Sequence, residues 1–475
     1  MRIPVIGLLV LLHSFVFAQV SKMPDVVCGI NNKNSREDYV RVQQTIYSLQ
    51  KLGRLQFKKE DIEAVSLMKT LQPSAPTFIR FAWPLTSRKS EEYAYLTSKN
   101  FIDLDTSECG MIDYNGGKHT YNGHNGMDIG IGPYGWQRQK DNDVYAIAAA
   151  PGIIVGKRDG GFDGNCSWTN PPWVGASASG NFVAVLHADG QTVSYYKHLK
   201  NGSLTQKDSG DYVSTGEYLG VIASSGRSTG PHLHFEVHVD WGDPDRPEGK
   251  LIEPFAGPYN PDTNVSLWIN QPPYEEPDIM GIESHNSGTM DMYTGSCDSS
   301  INLNTLDNSF APGTTVYFRT FFRDWTDGSQ VNFYLVKPDG SAETTWTPQS
   351  NGSESGYLCS SYGPEPYRFS YYIRSKALPL DAPAGTWAFR FSYYGKTYSH
   401  YFAVGCLLTE SFSGTQSGTK GFLVSNRITS TATISGNSTN NIQYRADNEV
   451  ILSPGFTATA GCQFVANNKG CNRVN

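Results

Sequence analysis

The chain has 475 residues, ten histidines, eight cysteines and a formal net charge of −7. That length exceeds one ordinary domain and suggests three or four. The acidic balance, with a pI near 5.8 and no basic tract, argues against nucleic acid as a partner.

Met1-Arg2 precedes an apolar run from Ile3 to Ala18, broken only by Pro4, Gly7, His13 and Ser14. One basic residue, a short apolar core and a small residue at its end predict a secretory signal peptide over residues 1–18. No later run reaches the roughly 18 apolar residues that a transmembrane helix needs. The expected product is exported, either secreted or at a bacterial cell surface. Eight cysteines in such a chain predict disulfides. Cys462 with Cys471, and Cys109 with Cys166, are the natural pairs; Cys28, Cys297, Cys359 and Cys406 stay unassigned. With no C-x-x-C pair, a thiolate metal site has no support.

Residues 19–78 have helical periodicity from Arg36 to Leu52 and from Lys59 to Leu71, closed by Pro73 and Pro76. This segment reads equally as a pro-region that covers an active site until removed, or as a structural cap. From Phe81 onward short strands punctuated by glycine take over, at 144–149, 151–155, 181–186, 192–196, 218–223 and 232–239. The expected fold is mainly β, with an antiparallel sheet here.

Within this region, Gly230-Pro231-His232-Leu233-His234-Phe235-Glu236-Val237-His238 alternates. As a strand it puts His232, His234 and His238 on one face and Leu233, Phe235 and Val237 on the other. Neighbouring imidazoles on one face can divide a task, one binding a metal while the other handles a proton. Upstream, His124 and Asp128 lie four apart in a glycine-rich stretch. A catalytic zinc takes three imidazole or carboxylate ligands and keeps one position for water. His124, Asp128 and one of His232 or His234 fill that quota, and His198 is a further candidate. Gly226-Arg227-Ser228-Thr229-Gly230 fits the serine-hydrolase elbow, but that motif needs a helix after it, and Pro231 with a period-2 strand follows instead. Asp159 to Asn165 lacks the terminal glutamate of a calcium loop and reads as a turn.

Taken together, these motifs resemble the lysostaphin/LytM-type zinc metalloendopeptidases, which cleave peptide cross-links in bacterial cell walls. The matching stretches are His124-x-x-x-Asp128, Gly180 to Gly190, Tyr196-x-His198-Leu199 and Ser225 to Glu236, in the family's order, within residues 79–255. The resemblance implies one Zn2+ held by His124, Asp128 and His234, with His232 and His198 as catalytic residues beside the attacking water. Peptidoglycan peptides are the implied substrate. Asn181 matches a family position near the groove. Tyr196 is expected on the face of His198 as oxyanion support, and Trp168 and Trp173, in an insertion between Gly160 and Gly180, as a substrate wall. Glu236 and His238 lie farther along the strand; they are expected to face solvent or the barrel end, with ligand orientation as the alternative. A peptidase for Gly-rich proteins, or a non-catalytic cell-surface binding module, are the competing readings.

Residues 256–280 are rich in Pro, Asn and Gly and read as a linker. Residues 281–406 alternate in short runs separated by turns, which predicts an immunoglobulin-like β-sandwich. Its closing hairpin resembles accessory domains of secreted bacterial enzymes. Residues 415–475, rich in Ser, Thr, Asn and Gly, predict a C-terminal short-strand module. It resembles modules at the ends of exported bacterial proteins and suggests cell-surface association through the C-terminal domains.

Overall fold

The structure is a computed structural model describing residues 36–89, 93–107, 110–117, 119–166, 178–243, 245–289, 305–325, 331–346, 355–357 and 367–471. The signal peptide expected over residues 1–18 lies outside the described residues, as do Cys28, Cys109, Cys297, Cys359, Trp168 and Trp173. The architecture is mainly β, and no helix among the described residues is long and apolar enough to cross a membrane.

Two helices open the described chain, α1 (Arg36–Lys51) and α2 (Lys59–Leu71), where the periodicity places them. Three short strands follow: β1 (Leu85–Ser87), β2 (Leu96–Asn100) and β3 (Met127–Ile131). After the helix α3 (Gly135–Asp141) come β4 (Val144–Ile147), β5 (Gly152–Arg158), β6 (Asn181–His187) and β7 (Val193–Leu199). The set closes with β8 (Tyr212–Val213), β9 (Tyr218–Val221), β10 (His232–Val239) and β11 (Lys250–Leu251).

These strands make two sheets. The larger runs β2-β3-β10-β7-β6-β5-β8 with β11 added beside β10, and the smaller runs β1-β4-β9; all of their pairings are antiparallel. Strand alternation gives the larger sheet two distinct faces. One carries Ile129, Val183, Val185, Tyr196, Leu233, Phe235 and Val237 into a core shared with Val144, Ala146 and Leu219 of the smaller sheet. The other carries the histidines of β10, and its remaining area is covered by α1. Tyr39, Val42, Ile46 and Leu49 of α1 pack there against Val155, Phe182, Ala184, Leu186, Val193 and Tyr195. The N-terminal segment is thus docked beside the histidine cluster, on the same face of the sheet.

Beyond residue 277 a four-stranded sheet and a five-stranded sheet share one aromatic core around Phe318, Phe322, Trp387, Phe389 and Phe402. Strands there span Asp278–His285, Thr315–Trp325, Tyr367–Ala377, Gly385–Tyr393 and Lys396–Val404. After them the pairing changes to parallel. Thr419–Ser430, Asn441–Ala446 and Gln463–Asn467 stack in register, so Phe422 lies over Tyr444, and Ile442 over Phe464. Cys406 is bonded to Cys471 at the two ends of this module, and Cys462 is free. That corrects the expected Cys462–Cys471 pair: past the last strand the chain folds back onto Thr419–Ser430, where the Cys471 N–H meets the Val424 carbonyl at 3.4 Å. Cys166 is disulfide-bonded.

Candidate active site

Strand β10 lies between β3 and β7, and its register sets the site. His234 is the Cα partner of Asp128 on one side and of Lys197 on the other. The Asp128 carboxylate oxygen Oδ1 lies 2.7 Å from His234 Nδ1, 3.2 Å from His124 Nε2 and 3.4 Å from His232 Nε2. His124 comes from the loop before β3, where Gly123 takes a positive φ of 71°. Gly126 must lack a side chain, because a Cβ there would sit 2.4 Å from His234 Nε2.

His198 reaches the cluster through a break in β7. Val193, Tyr195 and Lys197 alternate on the histidine face, so strict alternation would send residue 198 to the core. His198 instead has φ 66°, in the left-handed region, and the β6–β7 register shifts beside it. Its ring thereby lies 4.8 Å from that of His232 and 5.5 Å from that of His234. Tyr196, expected beside His198, is on the opposite face. It is fully buried against Phe235, and its hydroxyl accepts a hydrogen bond from the Ala149 N–H at 2.7 Å. That is a correction, and the bulge is its cause. Asn181 is also fully buried: its amide bridges Gly161 and the Leu199 carbonyl, which holds the bulge rather than facing a groove.

Hydrogen bonds fix the tautomers of three rings. The Nδ1–H groups of His124, His198 and His232 donate to the carbonyls of Phe101 (2.6 Å), Ser225 (2.7 Å) and Gly230 (2.7 Å). Each ring then presents an Nε2 lone pair. His124 Nε2 is buried without a hydrogen-bond partner among the described residues. His234 uses Nε2 toward Glu236 Oε1 at 2.9 Å, which leaves Nδ1 facing Asp128. Two trios therefore bring ligand atoms within 4.8 Å of one another: His124, Asp128 and His234, and His198, His232 and His234. Buried acceptors converging on one point call for a cation. The donor set, imidazole nitrogen with one carboxylate, suits zinc.

The electrostatics agree. Burial pushes the Asp128 carboxyl up, but the His124 and His232 imidazoles outweigh it and hold the group well below the usual range. Burial pushes the His234 imidazole down, yet the Asp128 and Glu236 carboxylates lift it to about 9. A proton there occupies the place of positive charge that a metal would take over on binding. His198 is held well below its ordinary value by burial and by the neighbouring His232 and His234 rings.

Two expectations about β10 are overturned. Glu236 and His238 face neither solvent nor a barrel end; both are buried beneath α1. Glu236 stays ionised because Lys197 and hydrogen bonds from His234 and His238 outweigh its burial. Tyr121 was not singled out from the sequence, yet its ring stacks on His124 at 4.1 Å and its hydroxyl donates to Asp128 Oδ2 at 3.2 Å. Its position three residues before His124 is the available signal. Trp168 and Trp173 lie outside the described residues.

Residues 122–247 match the model of peptidase family M23. The chain is 34% identical over 130 residues to the DD-carboxypeptidase/endopeptidase Mpg of Neisseria meningitidis, covering 27% of this chain and 23% of that protein. It is 39% identical over 61 residues to lysostaphin of Staphylococcus simulans, 13% of this chain and 12% of that protein. The chain thus spans about a quarter, or less, of the length of the curated relatives it matches. Among solved structures, the catalytic domain of lysostaphin from Staphylococcus simulans aligns with 33% of this chain and 89% of its own, at 23% identity and a TM-score of 0.20. The chain carries a peptidase family M23 domain.

Proposed function

We propose that this protein is an exported zinc-dependent endopeptidase that hydrolyses peptide bonds in peptidoglycan cross-links. The observation that carries the proposal is the convergence of His124 Nε2, Asp128 Oδ1 and His234 Nδ1, with the His124 nitrogen left by its fixed tautomer as a buried acceptor unpartnered among the described residues. In this reading those three residues hold the metal. Bound zinc supplies a Lewis acid that favours deprotonation of water and polarises a carbonyl. The family match and the names of the relatives, a DD-carboxypeptidase/endopeptidase and lysostaphin, support peptidase chemistry on cell-wall peptides.

His198 and His232 supply the acid–base work. Each has Nδ1–H tied to a carbonyl and an Nε2 lone pair aimed at the cluster. One accepts the proton of the attacking water as its oxygen bonds to the peptide carbon. The carbonyl oxygen gains negative charge, and the other ring, taking a proton from solvent at Nε2 as that charge develops, donates a hydrogen bond to it. Collapse breaks the C–N bond, and the stored proton leaves with the amine. Tyr121 braces His124 and Asp128. In the same reading residues 1–18 direct export, and the β modules after residue 280 are accessory domains that associate the enzyme with the cell surface.

Digestion of purified cell wall by the full chain, beside an elastin-like substrate, tests this. Mass spectrometry should find cross-link fragments with new amino termini from the cell wall. Cleavage of the elastin-like substrate alone would transfer the activity to Gly-rich proteins, and cleavage of neither would leave a binding module.

A further inference from the structure

The carboxylate behind His234 is gripped from outside the matched segment. Glu236 Oε1 accepts from His234 Nε2 (2.9 Å), Asn125 Nδ2 (2.9 Å) and Lys197 Nζ (2.5 Å). Its Oε2 accepts from the Tyr39 hydroxyl (2.9 Å) and His238 Nε2 (3.0 Å). Tyr39 belongs to α1, 197 positions away in sequence, and its hydroxyl also accepts from Lys197 Nζ at 2.8 Å. The Lys197 ammonium lies 4.7 Å from the Tyr39 ring centroid. All three side chains are buried.

This contact is built into the sheet. A Cβ at Gly156 would lie 2.5 Å from Val42 Cγ2, so the glycine admits the helix to close range. Gln43 donates to the Trp241 carbonyl at 2.7 Å, and Arg158 pairs with Asp38 at 3.2 Å. Helix α1 thus has apolar, hydrogen-bonded and ionic ties to the sheet that bears the histidines.

We infer that Tyr39 of the N-terminal helix is a positioning residue for the metal ligand His234, acting through Glu236 with Lys197 as the counter-charge. The inference rests on the proposed metal site. Glu236 takes the His234 Nε2–H and so leaves Nδ1 as the ligating atom; a carboxylate behind a ligating imidazole fixes its tautomer and orientation. A five-donor carboxylate swings little, and Tyr39 together with Lys197 sets where it stops. The Lys197 charge also offsets that of Glu236, so the carboxylate orients the ligand without cancelling the charge of the metal. In this view α1 is a permanent part of the catalytic domain and not a detachable cover.

Zinc affinity of the full chain, measured by competition with a chromophoric chelator, tests this. The control is Tyr47→Phe, which removes a hydroxyl from the same helix; Tyr47 donates to the Gly242 carbonyl at 3.0 Å and does not reach Glu236. Outer-shell partners typically change metal affinity by about 10- to 100-fold. We expect Glu236→Gln to fall in that range, Tyr39→Phe to lose at least about threefold, one bond farther out, and Tyr47→Phe to match wild type. Equal affinities for Tyr39→Phe and Tyr47→Phe overturn the inference, whether both are unchanged or both weakened. Nitrogen-15 shifts of His234 in the zinc-loaded wild type give a readout that needs no variant. Protonation at Nε2 is expected, and protonation at Nδ1 overturns the inference. A wild-type chain that takes up no zinc would instead sink the metal reading itself, and this inference with it.

Discussion

His234 and Asp128 face each other across adjacent antiparallel strands, and their side chains meet at 2.7 Å. The residues are 106 apart in sequence, yet no loop adjusts their approach. A register slip of one residue would turn one of them to the opposite face of the sheet. This pair is therefore as rigid as the sheet itself, which suits chemistry that depends on held geometry.

Gly126 tests that rigidity. Its missing side chain makes room for the His234 ring, and a Cβ would come within 2.4 Å of Nε2. Gly126→Ala should displace the ring and lower kcat/KM on a cell-wall peptide by about 100-fold, the scale of a misplacement near 1 Å. The circular dichroism spectrum should stay that of wild type. Undiminished activity would mean that the His234 position does not matter.

The buried Lys197–Glu236 pair predicts a stability effect with a direction. Lys197→Met leaves a buried carboxylate without its cation, and breaking such a pair costs about 3–5 kcal/mol. Lys197→Met/Glu236→Gln should cost less than Lys197→Met alone, because the unpaired charge has gone. Urea unfolding of the variants measures both. The opposite order would show that Lys197 acts by packing alone.

His198→Ala and His232→Ala should separate acid–base work from metal binding. Each should lower kcat by about 10²- to 10⁴-fold, the usual contribution of a positioned acid or base, while zinc content stays near that of wild type. Loss of zinc in either variant would instead assign that histidine to the metal, as the second trio allows.

A pH effect is expected far from the site. His400 is buried, and its Nε2–H donates at 2.8 Å to Ser284 Oγ, whose own hydroxyl donates to the Asp307 carbonyl at 2.6 Å. Burial, the Arg445 charge and His285 push its imidazole down to about 3 against a partial opposing pull from Glu283. A depressed folded value means that the unfolded chain takes up the proton first. The stability contributed by neutral His400 is thus complete above about 6.5 and is lost as pH falls toward 3, at up to about 1.4 kcal/mol per pH unit. His400→Gln, whose amide keeps a donor for Ser284, should flatten that acid loss in thermal melts between pH 6.5 and 4. An identical slope would count against it.

Much of the candidate site was legible because its signals are local. Period-2 alternation in β10 puts His232 and His234 on one face, and four-residue spacing pairs His124 with Asp128 in one short stretch. Helix boundaries at Arg36 and Lys59 followed from periodicity for the same reason. What failed was long-range or irregular. Tyr196 was misplaced because the left-handed backbone at His198 breaks the alternation from which its face was inferred. Glu236 and His238 looked like strand-end residues because the helix that buries them lies nearly 200 positions upstream. The Cys406–Cys471 bond depends on the chain folding back across the stacked strands, and spacing along the chain carries no trace of that.

Zinc stoichiometry of the purified chain tests the central claim most directly, measured beside Asp128→Ala and His234→Ala. The account predicts one zinc per wild-type chain and almost none in either variant, with all three retaining the β-rich spectrum of the folded protein. Zinc in either variant near the wild-type level, or none in the wild type, would contradict it.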